Sequence, residues 1–463
     1  MKKVIGIDLG TSSIKCFAAG FGEPVVLSAS YDKDGPKGMI SALADMFGRL
    51  GGQIDLKNTE SIGMTGQAGS YITAPRDNLD DIRLWLPWHT AGRETFLKKV
   101  LAEIDCEAFF AMTGMYHPNL TSYPLPNILY IKNAYPGMLG DCVLLQPKDW
   151  LCALLTGSLY SDAASWRGLA DWDAEKYVPE LIKYAGIDEN RLPVIQKWAQ
   201  IDKNGASLTG LCEGTPVCVG YSDFYSALVG MDIKDAGTCF DITGTSEHFG
   251  VTAAEAKPTP LIIGRFGAFG LYAHYGVTAS SGRALNMART NLGFSSPDAN
   301  GGSRLSLREK APIFLPYVRG ERAPVFDSGA RGVFCGISEN CKQEDLSYSI
   351  CEGVVFSLYD IYQKLGCPEI NHIKTTGKAS GAEILGILKA SLFGVPVIGE
   401  RPDCGSAMGA VKMAGGEWER EQRTWEPDLA LGGRLRYRFE VYKRMYNAWR
   451  DMTDGLDTRE LFW

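Results

Sequence analysis

Histidine is scarce in this 463-residue chain, and the scarcity excludes a class of sites. The five histidines never fall at zinc-ligand spacing, and the 12 cysteines include no C-x-x-C pair, so no structural metal centre is expected. Scattered singly, the cysteines read as reduced, packed thiols of a cytoplasmic protein rather than a disulfide framework. No stretch approaches the ~20 uncharged apolar residues of a membrane helix, so no membrane partner is expected. Met1-Lys2-Lys3 is basic, but the apolar run behind it breaks at Asp8 without a small-residue cleavage site, and no signal peptide is read. No basic stretch rises above the net charge of −7, which argues against nucleic acid as a partner. A Walker A pattern is missing too, which removes the P-loop.

What is present belongs to a globular protein, with 45% hydrophobic and 22% charged residues. Its length predicts about two or three domains at ~150 residues each. The most informative stretch comes first. Val4 to Leu9 is an apolar strand carrying Asp8; Gly10-Thr11-Ser12 is a bend; Ile14 to Ala19 is a second strand. Gly10 can take positive φ and let backbone approach a ligand. Thr11 and Ser12 offer hydroxyls and N–H donors to phosphate, and Asp8 is a hard oxygen ligand suited to hydrated Mg²⁺. A plain N-terminal hairpin with a polar turn fits the same residues.

Further signals follow in order. Pro24 to Ser30 reads as a strand, Ile40 to Leu50 as a helix, and Ser61 to Thr65 as a strand stopping at Gly66-Gln67-Ala68-Gly69. The aromatic segment from Trp85 to Arg93, with Trp88 and His89, is either a binding loop or a local core plug. Residues 94 to 160 read as helical with polar links. Asp223 falls where a short strand gives way to a helix, a place that suits either an N-cap or a ligand site at a strand's carboxyl end. A domain boundary is read at Gly237, giving domains 1–236 and 237–463. Behind it Thr238 to Thr243 runs into a second bend, Gly244-Thr245-Ser246, which repeats the opening. A glycine-rich turn at Gly377-Lys378-Ala379 follows. Cys404 to Ala410 is small enough either for a helix end to approach a flat ligand or for close helix packing.

Taken in order, these landmarks resemble the FGGY family of carbohydrate kinases. The resemblance spans nearly the whole chain, through Gly6 to Ser12, Gln146 to Leu151, Gly220-Tyr221-Ser222-Asp223, Gly244 to Ser246, and Gly320-Glu321-Arg322-Ala323-Pro324. It implies an α/β fold of two actin-like (ribonuclease H-like) domains flanking a catalytic cleft, and ATP-dependent phosphorylation of a small sugar. A pentulose such as xylulose or ribulose, or a polyol, is the implied substrate. Asp223 matches the family's general base and Asp8 the carboxylate near Mg²⁺. Gly10, Thr11, Ser12, Gly244, Thr245 and Ser246 match the phosphate hairpins, and Gly282, Gly377, Lys378 and Ala379 match nucleotide contacts. Gln67, Ala68, Trp88, His89, Asp223 and Phe224 fall on the sugar side. A homodimer is an assembly the resemblance admits.

The departures concentrate where sugar is expected. Ala68-Gly69 replaces the Met-His that xylulokinase-like members carry after Gly-Gln, and the Trp-x-Asp-x-Arg segment appears as Trp88-His89-Thr90-Ala91-Gly92-Arg93, without its Asp and one residue longer. His89 or Arg93 is the candidate to compensate. Phe224 stands where a polar side chain often holds the sugar, and Lys378 where a second glycine is usual. A non-catalytic sugar or nucleotide sensor on the same fold, and an actin- or chaperone-like ATPase, are the competing readings.

Overall fold

The computed structural model describes residues 1–31, 35–116, 120–266, 270–294, 308, 310–401 and 404–458. They form two compact units, the first Met1–Ile233 with Gly264–Gly270 and Cys404–Glu419, the second Lys234–Ile263 with Leu271–Asp403 and Arg420–Trp463.

The first unit grows from an antiparallel meander of β1 (Val4–Leu9), β2 (Ser13–Ala19) and β3 (Val25–Ser30). The apolar run of β1 suits a strand covered on both faces. Helix α1 (Pro36–Gly51) then crosses over, burying Met39, Leu43, Met46, Phe47 and Leu50 at helical spacing. It delivers β4 (Ser61–Gly66) parallel to β1. Strands β5 (Tyr71–Pro75) and β6 (Leu84–Leu86) pair apart from the main sheet. Helices α2 (Glu94–Glu103) and α3 (Pro124–Ala134) follow.

The stretch read as helical up to residue 160 contains a strand, β7 (Cys142–Leu145), antiparallel to β5. A four-residue apolar run carries no period that distinguishes strand from helix, which is why the sequence concealed it. Helix α4 (Pro147–Thr156) leads on to β8 (Trp198–Gln200), β9 (Pro216–Cys218) and α5 (Asp223–Gly230). The main sheet runs β8-β9-β4-β1-β2-β3, with β1 and β4 at its centre. Ile7, Leu9, Met46, Phe47, Trp150 and Val217 share one core around it.

The second unit repeats the plan. Strands β10 (Cys239–Thr243), β11 (His248–Ala253), β12 (Ile262–Phe266) and β13 (Leu271–Val277) open it, followed by α6 (Ser281–Thr290) and α7 (Gln343–Lys364). Then come β14 (Ile373–Gly377), α8 (Glu383–Phe393) and β15 (Val397–Arg401). Strand β10 lies antiparallel to β11 and parallel to β14, as β1 does to β2 and β4.

Helix α9 (Gly405–Met413) belongs to the first unit, and β16 (Glu421–Trp425) and α10 (Leu429–Met452) complete the second. The second sheet runs β12-β13-β11-β10-β14-β15-β16. The small residues of α9 serve close packing. A Cβ on Gly409 would lie 1.8 Å from the Ser226 carbonyl oxygen of α5, so the two helix backbones touch. Among the described residues, no helix is long and apolar enough to cross a membrane.

Candidate active site

In the first unit, two carboxylates lie near enough for the charge of one to act on the other. Asp8 projects from the central strand β1, where Oδ1 is buried without a protein hydrogen-bond partner among the described residues. Burial, and next the charge of Asp223, push its pKa up to about 7 against the pull of Lys15. Asp223 is the first residue of α5. Ser222 occupies the N-cap position and continues the strand register by pairing with Gly66. Asp223 is therefore not the N-cap. Its Oδ1 accepts the N–H of Phe224, at 2.8 Å. Burial raises the pKa of this carboxyl, while the Phe224 N–H and the Arg167 guanidinium oppose the rise.

The unpartnered oxygen of Asp8 and the second carboxylate at Asp223 suit a hydrated dication. Mg²⁺ usually takes one or two carboxylates and fills its remaining positions with water and phosphate oxygens. Among the described residues, no group of three His, Cys, Asp or Glu gathers to make a closed protein cage.

The bend beside Asp8 is held by its own backbone and by Gln67. Gly10 N–H donates to Ser13 O at 3.0 Å, and Tyr31 donates its hydroxyl to Gly10 O. Gly10 does not adopt positive φ. Glycine fits here for space instead, since a Cβ would press on Ser13 O at 3.1 Å. Thr11 and Ser12 stand exposed at the tip.

Gln67 is 4% exposed; its amide donates to Gly10 O at 3.2 Å and its carbonyl oxygen accepts from Ser70 at 3.1 Å and Thr11 at 3.4 Å. Trp88 donates its indole N–H to Thr11 Oγ1 at 3.3 Å and its backbone N–H to Ser70 Oγ at 3.0 Å. Bend, Gln67 and Trp88 thus form one hydrogen-bonded group, with Ala68 half-buried next to it. His89 is exposed, its ring edge-on to Trp88 at 5.3 Å.

Two expected contributors behave differently. Arg93 is fully buried and donates to Thr90 O, Pro87 O, Trp88 O and Asn127 Oδ1, so it pins the Trp88 loop from inside and has no face left for a sugar. The Phe224 ring packs edge-on to Tyr225 at 4.9 Å, and its backbone N–H donates to Asp223 Oδ1. Sequence reasoning missed Tyr31 and Arg167, which carry no motif. The role of Lys148 was also hidden: its ammonium binds Asp149 and Asp162, each at 2.9 Å, and Val219 O and Gly220 O at the approach to Asp223.

The second unit gathers the predicted phosphate and nucleotide residues. Thr243 accepts from Ala379 N–H at 2.9 Å and donates to Thr376 O at 3.1 Å, which ties the Gly377–Ala379 turn to the Gly244–Ser246 bend. Gly282 lies against the bend so closely that a Cβ would sit 1.9 Å from Gly244 O. A cleft of ≈ 660 Å³ opens where these segments meet, lined by Gly244, Thr245, Gly282 and Arg283 at one side and Lys378 and Ala379 at the other. Ser246 lies beside them, its hydroxyl held at 2.8 Å by Arg322.

Comparison with known proteins agrees with this geometry. Residues 3–230 match the family model described as "FGGY family of carbohydrate kinases, N-terminal domain", and residues 241–418 match that of the C-terminal domain. A xylulose kinase of Bacillus subtilis (strain 168) is 24% identical over 508 residues, covering 98% of this chain and 99% of the relative. An erythritol kinase of Brucella abortus (strain 2308) is 26% identical over 463 residues, covering 89% of this chain and 86% of the relative. The solved structure of a ligand-bound xylulose kinase from Lactobacillus acidophilus superposes with a TM-score of 0.82 at 22% identity, covering 99% of this chain and 100% of that one, and it shares the fold of two actin-like domains. With the N- and C-terminal family models matched over residues 3–230 and 241–418, the chain belongs to the FGGY family of carbohydrate kinases.

Proposed function

We propose that this kinase phosphorylates a small ketose or polyol, a pentulose such as xylulose or ribulose first among them, with Asp223 as general base. The observation that carries the reading is the carboxylate pair of Asp8 and Asp223 beside the Gly10–Ser12 bend. Kinases of this family use ATP, and relatives named xylulose kinase and erythritol kinase support an acceptor among small polyhydroxylated molecules.

Asp223 has one carboxylate oxygen engaged by a backbone N–H, which fixes its orientation and leaves the other for a hydroxyl proton. Bringing an acceptor hydroxyl to that oxygen places the nascent alkoxide beside the bend. Thr11 and Ser12, exposed at its tip, supply donors to the transferring phosphoryl group. Asp8 would hold Mg²⁺, which would supply charge neutralisation to the phosphate oxygens. Gln67 and Arg93 fix the bend and the Trp88 loop that borders the acceptor. The cleft at Gly282 and Lys378 holds the nucleotide.

Coupled ADP release against ketoses, aldoses and polyols tests the reading. Sugar-dependent turnover that collapses in Asp223→Ala is the expected result. ATP hydrolysis indifferent to sugar would favour an ATPase, and silence across the panel with nucleotide still bound would favour a sensor.

A further inference from the structure

Arg283 is the second residue after Gly282's predecessor in the first turn of α6, and its surroundings are unusual for a cation. It is half-buried and lines the same ≈ 660 Å³ cleft as the Gly244–Thr245 bend, yet among the described residues no carboxylate or carbonyl pairs with its guanidinium. Its charged neighbours are cations. Burial and then Arg319 lower its pKa, and Arg283 in turn helps depress Arg322.

The charge of Glu321 acts on Arg322 instead. Glu321 Oε1 accepts backbone N–H groups from Ala279 and Arg322, its Oε2 has no hydrogen-bond partner among the described residues, and its charge offsets that of Arg322. Arg322 itself is turned to Ser246 Oγ at 2.8 Å and Thr278 O at 2.7 Å. Crowded guanidinium groups repel, and an uncompensated one at the wall of a cleft is stabilised when an anion enters. Gly282 fixes where that anion would sit. Its Cα approaches the bend so closely that Arg283, one residue on, begins at the bend end of the cleft.

We propose that Arg283 is the side chain that recognises the polyphosphate of the nucleotide in this cleft, a role that rests on the nucleotide reading given above. Arg322 acts beside it as a positioning residue, holding the Ser246 hydroxyl and with it the bend. Arg283 contributes charge-assisted bonds to phosphate oxygens and none to the nucleoside.

Calorimetric titration of the full chain with ADP and with adenosine separates these contributions. Arg283→Gln is expected to raise the dissociation constant for ADP by about ten- to a hundredfold, the usual weight of a hydrogen bond to a charged group, and to leave that for adenosine within about twofold. Arg283→Lys keeps the charge and is expected to recover part of the ADP affinity. Equal losses for both ligands, or no loss for either, would overturn the assignment while wild-type binding left the nucleotide reading standing. A wild-type protein that bound neither ligand would overturn that reading and this one together.

Discussion

A carboxylate on the central strand of a sheet is poorly solvated, and Asp8 has an oxygen with no protein donor among the described residues to offset that. Its pKa of about 7 means that the fold favours the neutral acid. The stabilising contribution of a raised carboxyl is complete below the unfolded value of 3.8 and is lost as pH rises through about 7. Asp8→Asn removes the ionisation. The metal-free variant is expected to exceed wild type in stability by a few kcal/mol at pH 8 and to differ little near pH 4, read by urea unfolding at the two pH values. On the proposal that Asp8 holds Mg²⁺, its ionised form is the one that binds. Mg²⁺ affinity of the wild type is then expected to fall about tenfold from pH 8 to pH 6, read by calorimetry, and Asp8→Asn should abolish that dependence.

At this scale the sequence was informative where a motif carried the chemistry. Asp8, Asp223 and the Gly-Thr-Ser bends were legible because few residue types suit charge and phosphate at such spacing. Arg93 was not. A buried arginine that satisfies backbone carbonyls 3 to 6 residues away looks, in a one-dimensional chain, the same as one that reaches for a ligand. Gly10 was read for its conformational freedom, and the reason for glycine there is space.

Elements were legible in proportion to their length and period. The α1 helix was read within a few residues of its ends, whereas the four residues of β7 held too little pattern to register. The junctions between elements matter more to the site than the elements themselves. Strand β10 and strand β14 run parallel with Thr243 opposite Gly377, and this register brings a bend and a turn 133 residues apart into one cleft. Helix α6 completes it through Gly282. Adding one methyl group there forces α6 or the bend to move, because the opposing atom is a backbone carbonyl oxygen. Gly282→Ala is accordingly expected to cost about 1–3 kcal/mol of stability and to weaken ADP binding, measured by unfolding and by calorimetry on the same preparation.

For the whole molecule, the internal repeat was the most far-reaching signal in the sequence. Two bends a few residues long foretold two sheets in which the first strand lies between an antiparallel second strand and a later parallel one. The sequence did not disclose that the chain returns to its first unit through α9, because contact between distant segments leaves no local pattern. Gly6 and Gly63 accommodate that return, as hypothetical Cβ atoms would lie 2.1 Å from Ala407 O and 1.9 Å from Ala410 O. A fragment ending at residue 236 would leave this surface of β1 and β4 uncovered. It is expected to lack cooperative unfolding, measured by near-ultraviolet circular dichroism and urea titration, and to regain it when residues 404–419 are fused back through a flexible linker.

The central claim is that Asp223 takes the proton from a sugar hydroxyl as phosphate transfers, and phosphorus NMR tests it most directly. With ATP, Mg²⁺ and a pentulose or polyol that turns over, the wild type should convert the γ-phosphate signal into a phosphomonoester and ADP. Asp223→Asn should bind ATP with unchanged affinity and form the ester about 10²–10⁴-fold more slowly. Ester formation by Asp223→Asn at the wild-type rate would contradict the account.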